Sequence, residues 1–325
     1  MTTIAFIGLG HMGGPMAENL VRRGFPVTGF DLDPASLERA ASAGVRIADS
    51  AADAASDAEI VITMLPAGQH VLAAYRGDGA APGLLAAARP NTLFIDCSTI
   101  SVAEEQLAAR EAIAAGHRAL DAPVSGGVLG AENAGLAFMV GGAAEDYAEA
   151  LPVLEAMGAR IVHCGAHGLG QAAKICNNLV LGISQIAVGE AFVLGEQLGL
   201  SHQALYDVMS NSSGQCWALS TNCPVPGPVP TSPANRDYAP GFAGALMAKD
   251  LGLAQDAIEQ TGVDARLGLL ARDMFRAFAD GPGAGRDFSG IITTIREASG
   301  AAPLGAPEDT ADTPRRRATT ERTPL

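Results

Sequence analysis

The sequence of 325 residues has few of the features that hold very small proteins together. Its five cysteines are an odd set without a C-x-x-C pair, so neither a disulfide framework nor a zinc ribbon is indicated. Aromatic residues make up 5% of the chain and charged residues 17%, against 48% hydrophobic residues. This composition is typical of a globular protein that buries its own core, and the length favours two domains or one large one.

Positive charge is scarce, since 21 Lys and Arg residues stand against 35 Asp and Glu residues, a net charge of −14. This balance repels nucleic acids and anionic lipid surfaces, so we expect neither as a partner. The chain begins with Met1 and runs directly into an apolar strand, without the basic region of a secretory signal. An apolar stretch, residues 175–200, is interrupted by Asn, Gln and Glu, which favours a buried helix over a membrane span. We therefore predict a cytoplasmic protein.

The first half of the chain alternates short β-rich runs with Ala-rich amphipathic segments, which predicts an α/β fold with a largely parallel, doubly wound sheet. Strands are predicted at Thr3–Gly8, Val27–Asp31, Val45–Ala48, Ile60–Leu65, Leu93–Cys97, Ala119–Ala122, Ala137–Val140 and Arg160–Cys164. Ser101 and Glu104 form a capping box that marks the start of one helix. From Gln171 onwards the pattern is helical. We predict a nucleotide-binding domain at 1–166, an all-α domain at 167–299 and a disordered tail at 300–325.

A G-x-G-x-x-G motif runs from Gly8 to Gly13 and includes His11 and Met12. It follows the first predicted strand and opens the first helix, the context in which this motif binds dinucleotides. Gly8 permits the tight turn, Gly10 lets a pyrophosphate approach the backbone, and Gly13 lets helix and strand pack closely. The helix N-terminus adds free N–H groups and a positive dipole.

Asp31 ends the second predicted strand and lies where a carboxylate can accept hydrogen bonds from an adenosine ribose. A 2′-phosphate beside Asp31 and Asp33 would meet like charge. The sequence therefore predicts NAD in preference to NADP.

Three further segments are candidates for the same crevice, because ligands of open α/β sheets bind beyond the carboxyl ends of the strands. Leu65-Pro66 follows the fourth predicted strand, and Ser98-Thr99 follows the fifth with hydroxyls suited to a nicotinamide ribose. After the sixth, Ser125-Gly126-Gly127 can form an anion-binding turn for a substrate carboxylate. Each of these segments also reads as an ordinary loop or turn, and the residues alone leave that choice open.

Lys174 and Asn178 lie four residues apart in an otherwise apolar helical segment, so they share one helix face. In a partly dry cleft beside a positively charged nicotinamide, the ammonium of Lys174 is disfavoured, so the amine can exchange a proton with a substrate hydroxyl. His163 and His167 occur in a strand-to-loop context, and we predict no metal site. No G-x-S-x-G motif supports hydrolysis.

The chain resembles the β-hydroxyacid dehydrogenases from Thr3 to about Ser299. The resemblance is carried by FIGLGHMGGPMAENL, DAPVSGGVLGAENAGLAFMVGG, GLGQAAKICNN and MAKDLGLAQD, and the segment Cys216–Gly227 is similar to the 3-hydroxyisobutyrate branch of that family. It implies a Rossmann-type domain joined by a long helix to an α domain, in a homodimer or homotetramer. One departure is His70, which stands about where relatives commonly have a cofactor-contacting Asn.

The resemblance also implies site residues. Lys174 would be the catalytic lysine, Asn178 and the Ser125-Gly126-Gly127 turn would hold a small-molecule substrate, and Leu65, Pro66, Thr99 and Lys249 would contact the cofactor. The implied reaction is NAD-dependent oxidation of 3-hydroxyisobutyrate to methylmalonate semialdehyde, as in valine catabolism. Two alternatives stay open: a sister enzyme such as a tartronate semialdehyde reductase, and a catalytically silent NAD-binding protein.

Overall fold

The computed structural model describes residues 1–77, 79 and 82–301, and its first half is built on one sheet. The strands are β1 (Ile4–Ile7), β2 (Val27–Phe30), β3 (Arg46–Ile47), β4 (Ile60–Thr63), β5 (Leu93–Asp96), β6 (Arg118–Asp121), β7 (Val124–Ser125), β8 (Leu136–Gly142) and β9 (Gly158–Gly165). The helices among them are α1 (Gly13–Arg22), α2 (Pro34–Ser42), α3 (Ala51–Ala55), α4 (Gly68–Arg76), α5 (Leu84–Ala87), α6 (Val102–Ala114), α7 (Gly127–Glu132) and α8 (Ala144–Leu154).

The second half is helical. Its helices are α9 (Leu169–Gln197), α10 (His202–Ser210), α11 (Trp217–Ser220), α12 (Gly244–Thr261), α13 (Arg266–Ala279) and α14 (Ile291–Ala298), with short 3₁₀ turns at Pro233–Arg236, Pro282–Gly285 and Phe288–Gly290. An α/β half followed by helices confirms the predicted fold class. The division at residues 166 and 167 stays a prediction, and residues 302–325 of the predicted tail lie outside the described residues.

The sheet has the strand order β3-β2-β1-β4-β5-β6-β8-β7, with β9 paired to β8. The first six strands in this order are parallel, whereas β8 runs antiparallel to β6 and β7. The order reverses beside β1, and the carboxyl ends of β1, β2, β4 and β5 therefore meet at one edge of the sheet, where open α/β folds bind ligands. One predicted turn differs, because Val124–Ser125 pairs with β8 as a short strand before the glycines follow.

Alternate residues of β1 supply the cores on the two faces of the sheet. Ile4 and Phe6 pack into one buried cluster, and Ala5 and Ile7 pack into the other. Helix α6 covers the second face, and its first turn carries the predicted capping box: Ser101 Oγ accepts from Glu104 N, and Glu104 Oε2 accepts from Ser101 N. Continuous burial of β1, β4 and β5 explains why these strands are apolar up to their last residues, where Thr63 and Asp96 end β4 and β5.

Helix α9 has 29 residues and is about 44 Å long at 1.5 Å per residue. Within the described residues it is the one helix long and apolar enough to cross a membrane, but half of its most apolar window is buried inside the protein. It packs against β8, α12, α13 and α14. One of its faces carries a row of buried polar side chains, which are Gln171, Lys174, Asn178 and Gln185. This helix is therefore a core element that brings polar groups to the centre of the molecule.

Candidate active site

The glycine turn between β1 and α1 is shaped by backbone contacts that leave no room for side chains at two positions. Gly8 has a φ of +95°, and a Cβ there would lie 2.3 Å from Met64 O. A Cβ on Gly13 would lie 1.9 Å from Gly8 O. At Gly10, by contrast, no atom lies within 4 Å of the Cβ position. No side chain caps α1, but Gly14 N donates to Gly10 O and Pro15 has no N–H, so the backbone of the turn before them, with the open space at Gly10, is what fits a pyrophosphate.

The other two motif residues have different surroundings. His11 is exposed, and Met12 packs against the sheet core as the residue preceding α1.

Asp31 joins the end of β2 to this turn. Its Oδ2 accepts from Leu9 N at 2.6 Å, and its Oδ1 accepts from Asp33 N at 2.8 Å. Asp33 caps α2 through its own carboxylate, and the exposed Arg39 lies 3.9 Å from that carboxylate. The negative charge of Asp31 is thus held beside the turn with a lone pair left on each oxygen, which suits the hydroxyls of a ribose.

The ends of β4 and β5 are joined by two buried hydroxyls, those of Thr63, which donates to Asp96 Oδ1 at 2.7 Å, and of Ser98. Ser98 Oγ donates to Asp96 Oδ1 at 2.6 Å and accepts from Leu65 N at 2.8 Å. Its hydrogen bonds go to protein groups, so Ser98 supports the strand ends, in contrast to the predicted contact with a nicotinamide ribose. Thr99 and Leu65 are half-buried at the rim, and Pro66 is exposed.

The start of α9 is held against the sheet by a carboxylate from β6. Asp121 Oδ1 accepts from Gly168 N at 2.8 Å, and Oδ2 accepts from Gln171 N at 2.9 Å. Gln171 in turn donates to Ser98 O at 2.7 Å and accepts from Ile100 N at 3.2 Å. Asp121 therefore serves as the N-terminal cap that Gly168 cannot provide, and it anchors the helix that carries Lys174.

Lys174 lies one turn further along α9 and is only 6% exposed. Burial lowers the pKa of its ammonium, and the positive charge of Lys249 adds to this, while the carboxylate of Asp250 opposes it. Asp250 is itself buried, which raises its pKa, and its Oδ2 accepts from Asn178 Nδ2 at 2.5 Å. The predicted pair Lys174 and Asn178 is thus brought together with Asp250 in a dry environment where a proton can be exchanged.

Lys249, next to Asp250 on α12, reaches across to the β5 loop. Its ammonium donates to the backbone oxygen of Thr99. The helical half of the chain therefore contacts the strand end at which a nicotinamide ring is expected, and the role of Lys249 at the cofactor stays a prediction.

The Ser125-Gly126-Gly127 turn begins at the end of β7. Gly126 and Gly127 have φ values of +138° and +62°, which glycine adopts without strain. A Cβ on Gly127 would lie 3.1 Å from Gly241 O, so the turn lies against a loop of the helical half. Ser125 and Gly127 are half-buried and Gly126 is exposed.

Sequence reasoning missed Asp250, Asp121 and Gln171. The signal that could have identified Asp250 is its place beside Lys249 on the apolar, buried face of an amphipathic helix, where an acidic residue is unusual. Asp121 and Gln171 act through contacts across about 50 positions of sequence, for which spacing holds no signal. Within the described ranges, no cluster of three or more His, Cys, Asp or Glu side chains is arranged for a metal ion.

A turn open to a pyrophosphate, together with a lysine made less basic by burial, is a combination that suits a nicotinamide-dependent dehydrogenase. Two family models match the chain: the NAD binding domain of 6-phosphogluconate dehydrogenase over residues 3–165, and the NAD-binding domain of NADP-dependent 3-hydroxyisobutyrate dehydrogenase over residues 168–295. These matches confirm the predicted NAD cofactor in an oxidoreductase fold.

Relatives of known name narrow the class. The 3-hydroxyisobutyrate dehydrogenase of Pseudomonas aeruginosa is 50% identical over 91% of this chain and 99% of its own. The solved structure of Mycobacterium tuberculosis 3-hydroxyisobutyrate dehydrogenase with L-serine is 56% identical, with a TM-score of 0.86 over 91% of this chain and 99% of that one. The chain belongs to the 3-hydroxyisobutyrate dehydrogenase family. An NAD-dependent L-serine dehydrogenase of P. aeruginosa is also similar, with 47% identity over 89% of this chain and 96% of its own.

Proposed function

We propose that this protein oxidises 3-hydroxyisobutyrate to methylmalonate semialdehyde with NAD, as in valine catabolism. The observation that carries the proposal is the buried Lys174, whose lowered pKa and neighbours Asn178 and Asp250 suit proton exchange with a hydroxyl. The names of the relatives support the substrate. The assembly as a homodimer or homotetramer and the cytoplasmic location stay predictions.

The chain's own groups divide the work between holding the substrate and moving its proton. The Ser125-Gly126-Gly127 turn binds the carboxylate through its hydroxyl and backbone N–H groups. The amine of Lys174 accepts the hydroxyl proton, and Asn178 orients the hydroxyl so that the transfer becomes effectively unimolecular. NAD, when bound, accepts the hydride from the hydroxyl-bearing carbon. In the reverse direction the ammonium of Lys174 returns the proton to the aldehyde oxygen.

The cofactor would be held mainly by the first half of the chain. Gly8, Gly10 and Gly13, with the backbone at His11 and Met12, would hold the pyrophosphate. Asp31 would accept from the adenosine ribose and disfavour a 2′-phosphate by charge. Leu65, Pro66, Thr99 and Lys249 would contact the nicotinamide half.

The test is NADH formation by the purified full-length protein with (S)-3-hydroxyisobutyrate, L-serine, glycerate and 6-phosphogluconate, each with NAD and with NADP. We expect the largest kcat/KM for 3-hydroxyisobutyrate with NAD. A larger value for glycerate, assayed also in reverse with tartronate semialdehyde, would move the protein to that sister activity. NAD binding without turnover of any of these substrates would contradict the enzymatic proposal and favour a silent NAD-binding protein.

A second candidate, oxidation of L-serine, is favoured by a specific observation. A 47% identical relative is an NAD-dependent L-serine dehydrogenase, and a 56% identical solved structure contains L-serine. L-Serine is also a 3-hydroxy acid of similar size, so the same turn and lysine could serve it. Competition between the two substrates in one assay separates the candidates, because the preferred substrate suppresses turnover of the other at equal concentration.

A further inference from the structure

Outside the groups assigned above, one buried carboxylate ties three segments of the helical half together. Asp287 is 1% exposed and receives five hydrogen bonds, two of them from Ser289 N and Ser289 Oγ in its own turn. The other three come from distant loops: Gly241 N, Phe242 N and Asn222 Nδ2. Such a fully satisfied buried carboxylate fixes the relative positions of its donors.

The Oδ2 atom of Asp287 holds the loop that lies against the proposed substrate turn. It accepts from Gly241 N at 3.0 Å and from Phe242 N at 3.1 Å. The backbone oxygen of Gly241 lies so close to Gly127 that a Cβ on Gly127 would be 3.1 Å from it. The position of Oδ2 therefore sets how closely this loop approaches the Ser125-Gly126-Gly127 turn.

The Oδ1 atom holds the segment that carries the resemblance to the 3-hydroxyisobutyrate branch. It accepts from Asn222 Nδ2 at 3.0 Å, and Asn222 O accepts from Gln185 Nε2 of α9 at 3.5 Å. Gln185 follows Lys174 by eleven residues, about three helical turns, so the two side chains share one face of α9. The same carboxylate is thereby connected to both the loop above the turn and the helix that carries the lysine.

We propose that Asp287 is a positioning residue that sets the shape of the substrate cleft and, through it, the discrimination among short 3-hydroxy acids. It acts through Gly241, Phe242 and Asn222, and it does not touch the reacting atoms. The inference rests on the proposed function, since the cleft is the one formed by the Ser125-Gly126-Gly127 turn and Lys174.

Backbone contacts keep these segments near one another without the carboxylate. Asp287 N donates to Tyr238 O at 2.8 Å, and Phe288 N donates to Phe242 O at 2.9 Å. Asp287→Asn retains both, so the fold has an anchor that the substitution does not remove. All five partners of the carboxylate are donors, however, and the amide group of Asn would turn an NH₂ towards some of them. The substitution should therefore shift the loop or the Asn222 segment and leave the chain folded.

The experiment compares Asp287→Asn with Asp237→Asn in the full-length enzyme. Asp237 is the matched control, because its side chain is 93% exposed and it pairs with Arg286 in the same region. We expect Asp287→Asn to raise KM for 3-hydroxyisobutyrate about tenfold, equivalent to about 1.4 kcal/mol. We also expect it to change the ratio of kcat/KM for 3-hydroxyisobutyrate to kcat/KM for L-serine. The Kd for NAD and the parameters of Asp237→Asn should stay within about twofold of wild type.

Outcomes are separable. If the folded Asp287→Asn variant has a lower melting temperature but unchanged KM and an unchanged substrate ratio, Asp287 is merely structural and the inference is wrong. If it does not fold, Asn222→Ala removes one donor only and should move the same ratio; an unaltered ratio there refutes the inference. Failure of the proposed function would show itself in the wild type, as a preference for another acid, and the ratio test then uses that acid.

Discussion

The two halves of the cleft are built by different means. The cofactor half is built from backbone. In its glycine turn a Cβ on Gly13 would lie 1.9 Å from Gly8 O, and Asp31 holds the turn by accepting a hydrogen bond from Leu9 N, 22 positions earlier. The substrate half is made of buried side chains from distant parts of the chain, such as Asn178 and Asp250, 72 positions apart. A pyrophosphate needs close approach to N–H groups, whereas proton transfer needs a charged group kept out of water. Substitutions in the cofactor half should therefore affect stability and cofactor binding, whereas substitutions in the substrate half should affect turnover.

In the substrate half, Lys174→Ala should have the largest effect on turnover. Loss of the proton acceptor should lower kcat about 10²- to 10⁴-fold, with little change in the Kd for NAD. Stopped-flow and steady-state assays measure kcat, and calorimetry measures cofactor binding. Cys176→Ser is the matched control, because Cys176 lies two residues further along α9 and is exposed. Near-normal turnover in Lys174→Ala would sink the assignment of this residue.

In the cofactor half, two alanine substitutions in one turn should separate folding from binding. Gly13→Ala places a Cβ against backbone that has no room to move and should lower the free energy of unfolding by about 3 kcal/mol or more. Gly10→Ala meets no atom within 4 Å and should leave stability within about 0.5 kcal/mol of wild type. Its methyl group occupies the space for the pyrophosphate, so its Kd for NAD should rise. Denaturant unfolding measures the stability of the two variants, and calorimetric titration measures their Kd for NAD. Equal losses of stability in Gly13→Ala and Gly10→Ala would contradict the prediction.

The same contrast explains how much the sequence could reveal. The glycine turn was predictable because glycine has no substitute at those φ values and distances, and Asp31 because it stands at a characteristic spacing from that turn. The parallel strands were predictable because short apolar runs alternate with helical segments. The pair Lys174 and Asn178 was predictable because Lys174 is the one basic residue of α9 and Asn178 lies about one turn further along it. Asp250 became visible only once α12 had packed against α9.

Asp250 was a functional residue that the sequence did not reveal, whereas Ser98 was assigned a ligand contact from the sequence that the structure does not support. Its position after a strand end suggested a ligand contact, yet its hydroxyl joins Leu65 N to Asp96. Sequence spacing places a hydroxyl at the rim of a sheet but does not say whether protein donors and acceptors reach it first.

Asp31 should have a moderate effect, confined to the choice of cofactor. Asp31→Ala removes the negative charge that faces a 2′-phosphate and should lower the ratio of kcat/KM for NAD to that for NADP about tenfold, equivalent to about 1.4 kcal/mol. Part of the loss with NAD comes from Leu9 N, which would lose its acceptor. Asp31→Asn keeps an acceptor for Leu9 N without the charge and should show the change in ratio alone. An unaltered ratio in both variants would refute the contact with the ribose.

The first half of the chain also contains a buried acidic pair, Glu105 and Asp96. Like Lys174 in the substrate half, these are titratable groups whose pKa is shifted by burial. The carboxyls of Glu105 and Asp96 are both buried, and each is near enough to the other to affect its pKa. Asp96 Oδ2 and Glu105 Oε2 have no hydrogen-bond partner among the described residues. Two buried neighbouring carboxyls disfavour a second negative charge, so we expect the pair to retain a proton. Burial, reinforced by the charge of Asp96, raises the pKa of Glu105 well above its ordinary value of 4.5. The groups around the pair are Thr63, Tyr75, Cys97, Ser98 and Asp121.

This pair should give the smallest effect, a dependence of stability on pH. Because the folded pKa of Glu105 is raised, its stabilising contribution is complete below 4.5 and is lost as pH rises towards the folded value. One retained proton corresponds to a slope of at most about 1.4 kcal/mol per pH unit. Glu105→Gln keeps a donor for Asp96 at every pH, so urea unfolding should show a flatter decline than wild type as pH rises above 4.5.

Glu111 on the same helix provides the control for that measurement. Arg76 lowers the pKa of Glu111, so its contribution has the opposite sign: it is present above the ordinary value of 4.5 and is lost as pH falls. Because both side chains of this pair are partly exposed, Glu111→Gln should change stability only slightly and leave the decline above pH 4.5 as in wild type. If Glu105→Gln and wild type decline in parallel, the carboxyls of Glu105 and Asp96 share no proton. The exchangeable buried proton would then be a feature of the substrate half, at Lys174, and the first half of the chain would have none at Glu105 and Asp96.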